Sequence, residues 1–163
     1  MKNKNVKGIV GATFMLLMAM MIMQGASYAQ GSPNARQNRI VGVWDVQVTN
    51  TNCDTGATLS TFRGLHKYEL GGTGQVVPAT NPTRLSAHMS VWNWVHGNDY
   101  KMTFKMFRFD AAGNNIGWIV VRNDVSINED ATEYSGSGRA ELFDSNGIFQ
   151  SASCPSFTGT RFQ

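Results

Sequence analysis

The chain reads as all-β: an eight-stranded antiparallel up-and-down barrel closed by its first and last strands. Three observations predict this. Runs of alternating apolar and polar residues recur from Arg39 to the C-terminus, and no helical stripe interrupts them. Clusters of Asn, Asp and Gly separate these runs with the turn chemistry that hairpins require. The first run, Arg39–Asn50, also lies antiparallel on the last, because Trp44 facing Arg161 and Cys53 near Cys154 give nearly the same sum of residue numbers. First and last strands side by side leave no sheet edge exposed.

The elements follow in order. Met1–Lys7 carries three lysines and no acid, Gly8–Gly25 is apolar, and Ser27 and Ala29 are the small residues a signal peptidase reads. Residues 1–29 are therefore expected to be a cleaved secretory signal, with an uncleaved membrane anchor as the alternative. Gln30–Asn38 is polar and is read as a short disordered lead-in, which leaves 39–163 as a single barrel domain. In the first strand, Trp44, Val46 and Val48 share one face. A turn at Asp54-Thr55-Gly56 leads to a second strand, Thr58–Leu70, with Phe62, Gly64, His66, Tyr68 and Leu70 on one face. Gly71–Gly74 ends it, and Gln75–Ala79 forms a short third strand. Thr80–Ala87 is the longest irregular connection and is expected at the rim of a barrel mouth.

His88–Val95 is the fourth strand. In the fifth, Tyr100, Met102, Phe104 and Met106 alternate with Lys101, Thr103 and Lys105, and the out-of-phase Phe107 and Phe109 predict a β-bulge near Met106 and Phe107. Turns at Asp110–Asn115, Asn128–Asp130 and Asp144–Gly147 bound a sixth strand (Ile116–Ile127), a seventh (Thr132–Phe143) and an eighth from Ile148 to Arg161. A break in the eighth is expected at Pro155. Eight strands leave an interior that is either filled by side chains or occupied by one small ligand.

Three of the 14 basic residues lie in the leader, so the remainder of the chain balances 11 basic against 11 acidic residues. No Lys/Arg cluster remains to neutralise a nucleic-acid backbone or an anionic membrane; neither is an expected partner of the mature chain. Two cysteines in an exported chain predict one disulfide, Cys53–Cys154, the alternative being two free thiols. Localisation is read as periplasmic or extracellular.

Gly42-Val43-Trp44 resembles the Gly-x-Trp of lipocalins and the wider calycin superfamily. The turn at Gly71-Gly72-Thr73, the Asp-x-x-Gly turn at Asp144–Gly147 and the terminal Thr158-Gly159-Thr160-Arg161 are similar to small exported lipocalin-like proteins of bacteria. The resemblance implies that Trp44 closes one barrel end and that Arg161 packs across it. A guanidinium over an indole is favourable on physical grounds as well, so both are read as structural closure residues. The family's Thr-Asp-Tyr-like triplet and its helix before the last strand are not visible.

Candidate ligand-binding residues are the side chains expected inside: Phe62, His66, Tyr68, Trp92, Trp94, Tyr100, Met102, Phe104 and Trp118, since apolar walls with a few polar groups suit small-molecule sites. The same rings in a filled core are the alternative. Tyr134, Gly136, Gly138, Ala140 and Leu142 make a face that is small in its middle, so either a large neighbour such as Trp118 packs over the glycines or they leave room for a guest. His66, His88 and His96 are the only histidines, and their spacing matches no metal motif; no metal and no cofactor are expected. No nucleophile elbow, carboxylate pair or phosphate-cradling loop occurs, so no catalytic residue is assigned. The expected function is binding or carriage of a small hydrophobic molecule. Two alternatives stay open: a filled barrel acting through its surface as an interaction or inhibitory module, and a barrel-cyclase-type enzyme with His66, Tyr68 or Arg108 buried and essential.

Overall fold

The computed structural model describes residues 34–162; the expected signal segment, residues 1–29, lies outside them. One helical turn, α1 (Asn34–Gln37), precedes eight strands: β1 (Gly42–Thr51), β2 (Thr58–Tyr68), β3 (Thr73–Pro78), β4 (His88–His96), β5 (Asp99–Phe109), β6 (Asn115–Ile127), β7 (Glu133–Phe143) and β8 (Phe149–Arg161). Each strand pairs with the next and β8 pairs with β1, so the sheet is a closed up-and-down barrel. Trp44 lies opposite Arg161 and Thr51 opposite Cys154, the register expected from the sequence. Cys53 and Cys154 form a disulfide with their Cα atoms 5.1 Å apart. The bond ties the β1–β2 connection to β8 at one end of the barrel.

Alternation decides which side chains enter. On β4, His88, Ser90 and Trp92 are buried while Met89 and Val91 face out. On β5, Tyr100, Met102, Phe104 and Met106 are inside and Lys101 and Lys105 outside. Phe107 continues the outer phase and is 42% exposed, and β5 stays in register with β6 through Arg108, so the bulge expected at Met106 and Phe107 is absent there. The shift falls between Arg108 and Phe109. The break expected at Pro155 is likewise confined to one side: Pro155 aligns with Asn50 of β1, while the β7 ladder skips from Ser137–Ser156 to Ala140–Ser153. Proline has no amide hydrogen to give, and β8 nevertheless continues through it.

The Trp44 end is sealed. The indole is fully buried, its Nε1 donates to the Ile40 carbonyl (2.8 Å), and the Arg161 guanidinium lies 4.3 Å from the ring centroid. That guanidinium donates to the carbonyls of Ala131 (2.7 Å), Val41 (2.8 Å) and Arg39 (2.6 Å), so its charge is covered without being left unpaired. Gly42 makes the approach possible. Its φ is +138°, and a Cβ there would stand 2.5 Å from Arg161 Nη1. Arg36, expected in a disordered lead-in, contributes to this end, where its carbonyl accepts from Tyr100 Oη (2.8 Å); Arg39 Nη1 donates to Asn98 Oδ1 (2.7 Å). Tyr68, Trp92 and Tyr100 pack above the plug in edge-to-face contacts.

Candidate functional site: a one-ended lumen

The opposite end, beside the disulfide, is not filled. Within the barrel lies a cavity of about 190 Å³, walled by Val48, Phe62, Val76, Phe104, Met106, Ile119, Val121 and Phe157, with His66, His88 and Asn123 among them. Thr80 and Leu85 of the β3–β4 connection reach its edge, so the long loop expected at a mouth does stand there. The loop is pinned to β5, because Ser86 N donates to the Phe107 carbonyl and Phe109 N to the Arg84 carbonyl, both at 2.9 Å. A wider groove of about 640 Å³ runs outside the barrel along Asp45, Gln47 and Arg63, but it is shallow and bridged by the Arg63–Asp45 ion pair.

Cross-strand register builds the cavity. Trp44, His66, Val76 and His88 are successive partners across β1 to β4, and all four point inward. Ser90, Phe104, Val121, Ala140 and Ser153 form a similar row across β4 to β8. His66 and His88 are each 3% exposed. The Tyr134 hydroxyl is 2.6 Å from His66 Nδ1, and the His88 ring stacks on Phe104 with 7° between the planes. Burial, and to a smaller extent the nearby His88, pulls the His66 pKa down to about 3; burial alone takes His88 to about 4. Both imidazoles are therefore neutral at ordinary pH. Burial pushes the hydroxyls of Tyr68 and Tyr134 well above the usual tyrosine range, so both stay protonated.

Several polar atoms inside the barrel have no partner: both His88 ring nitrogens, Asn123 Oδ1, Ser90 Oγ and the Tyr68 hydroxyl. An unpartnered buried polar group costs about 1–3 kcal/mol. Such a cluster is unusual in a packed core.

Of the residues expected to bind a ligand, Phe62, His66 and Phe104 line the cavity. Tyr68, Trp92, Tyr100 and Met102 are buried but belong to the packed half around the plug. Trp94 is half-buried at the barrel end and donates from Nε1 to the Gly97 carbonyl (3.0 Å). Trp118 is a correction. It lies between Phe107 and Phe143 on the outer face, stacks on Phe143 and carries the Lys105 ammonium 4.6 Å from its ring centroid. The parity of β6 is set by Val121, Asn123 and Val125, which are buried, and that phase leaves Trp118 outside.

The glycine stripe follows the first alternative, with Phe157 and not Trp118 as the large neighbour. A Cβ on Gly136 would strike the Phe157 ring, one on Gly138 would strike Asn123 Oδ1, and one on Gly159 would strike the Tyr134 ring. The room those glycines leave is taken by side chains and backbone of adjacent strands. His88 and Asn123 were missed as wall residues, although His88 shares the phase of Trp92 and could have been placed by it. Arg108 stands partly exposed at the rim, bridged to Leu85, while His96 is outside and paired with Asp99. The three histidines do not converge on one point.

The fold and site together define a closed antiparallel barrel with a blind, half-filled lumen. No family model matches the chain, and no curated protein matches its sequence. Among solved structures it is similar to the crystal structure of Rv2717c from M. tuberculosis, at 10% sequence identity and a TM-score of 0.39, over 77% of this chain and 94% of that one.

Proposed function

We propose that this protein is an exported, lipocalin-like barrel that binds or carries a small hydrophobic molecule in its lumen. The observation that carries the reading is the contrast between the two barrel halves: one is packed around Trp44 and Arg161, while the other keeps a mostly apolar cavity open toward the disulfide end. Side chains large enough to fill that space would stabilise the fold, because packed interiors leave few voids. A preformed apolar space with a few polar groups is what small-molecule sites use. Export belongs to the same reading: residues 1–29 are the cleaved signal, and a disulfide such as Cys53–Cys154 persists in an oxidising compartment.

The test is native mass spectrometry of the oxidised protein from a secretory host, followed by titration with an apolar fluorescent probe. A co-purified small mass, or saturable binding at one probe per chain, is expected. An empty protein that takes up no probe overturns the reading. The second reading, an interaction module, would then take its place. It draws on exposed apolar side chains near the mouth, where Phe107 (42% exposed), Ile148 (61%) and Phe149 (51%) surround the Trp118 stack.

A further inference from the structure

We propose that the molecule this lumen takes is small, neutral and flat-faced, with a hydroxyl or amide-like group on an apolar ring, and is neither a long-chain lipid nor an anion. The proposal rests on the reading of the barrel as a lumen binder and narrows it to a chemical class. Three observations lead to it.

The first is size. At about 190 Å³ the cavity is close to an engineered apolar cavity of about 150 Å³ that accepts benzene. It holds a single ring with one or two substituents, and a long acyl chain would project past Leu85 into solvent. The second is shape. The His88 and Phe104 rings lie parallel, 5.9 Å apart between centroids, and with Phe62 and Phe157 elsewhere in the wall they make a setting for offset or edge contacts with a ring.

The third is the pattern of unmet polarity. His88 and Asn123 both belong to the cavity wall, and both carry polar atoms without a partner. The terminal torsions of His and Asn are soft, so a small rotation turns these atoms toward an occupant. A neutral imidazole offers one donor and one acceptor, and a hydroxyl or amide answers both. No lysine or arginine lines the cavity, so a carboxylate or phosphate would be buried without a counter-charge. The depressed basicity of both histidines agrees with a site that stays uncharged.

Calorimetric titration of the oxidised protein at pH 7 with toluene, p-cresol, 4-methylbenzoate and hexadecanoate tests this. The first three share one body and differ in the polar group. The expected result is that p-cresol binds about tenfold tighter than toluene, the size of one net hydrogen bond, and that 4-methylbenzoate and hexadecanoate bind more weakly than p-cresol. His88→Leu should reduce the p-cresol preference and spare toluene. Because that variant risks misfolding, the side-chain ¹⁵N resonances of His88 and Asn123 are followed in the unaltered protein, where both should shift on addition of p-cresol. The proposal is overturned if toluene binds as tightly as p-cresol, if 4-methylbenzoate or hexadecanoate binds best, or if neither resonance moves. A changed order of affinities leaves the lumen-binding reading standing; binding that moves neither wall resonance, or failure of all four probes to bind, removes that reading as well.

Discussion

Trp44 and Arg161 illustrate how two side chains from opposite ends of the chain make one structural device. Trp44 has no solvent exposure, and its indole supports both the Arg161 guanidinium and the Tyr134 ring, 4.8 Å away between centroids. Truncation would open a cavity and leave Arg161 without its platform. Trp44→Ala is expected to lower stability by about 3–5 kcal/mol, and apolar-probe affinity should fall far less, because neither residue lines the lumen. Chemical denaturation and probe titration on the same variant check this; weakened binding at an unchanged unfolding midpoint would contradict a purely structural role.

The strands carry the lumen and the connections shape its mouth. Cys53–Cys154 lies at that end, across 101 positions of sequence. In the chain-entropy account a loop of that length contributes up to about 4–5 kcal/mol by constraining the unfolded chain. Reduction, or the Cys53→Ser/Cys154→Ser pair, should lower the melting temperature markedly while the barrel still closes, since β1 and β8 share a continuous ladder from Trp44–Arg161 to Thr51–Cys154. Calorimetry with and without reductant measures the loss, and an unchanged melting temperature would show that the bond adds nothing to stability. The β3–β4 connection was legible as a mouth loop from its length and composition. Its anchorage on β5 was not, because Ser86–Phe107 and Arg84–Phe109 pair residues that no local pattern relates.

For the whole molecule, the two inward histidines tie stability to pH. Both have folded pKa values of about 3 to 4, below the ordinary value of 6.5 that the unfolded chain recovers. Between those limits the unfolded state binds protons that the folded barrel refuses. Stability is therefore full above about pH 6.5 and declines as pH falls toward 4, by up to about 1.4 kcal/mol per pH unit for each histidine. Urea unfolding from pH 7.5 to 4.5 should show that decline, and His88→Phe should make it shallower. A flat profile over that range would mean that the histidines are not held neutral inside.

Strand order, closure of the first strand on the last, and the Trp44–Arg161 and Cys53–Cys154 pairings were all readable from the chain alone. Alternation and turn chemistry are local properties, and antiparallel pairing turns them into a register by simple counting. The half of the barrel in which each inward residue ends up was decided by tertiary structure. Phe62 and Met102 both point inward, yet one borders empty space and the other is packed, because depth along the barrel depends on how eight strands stagger against one another. Trp118 was misplaced because its parity is fixed by the partners of Val121 and Asn123, not by its own hydrophobicity. The cavity itself is a sum over side chains from all eight strands, and that sum forms only when the barrel closes.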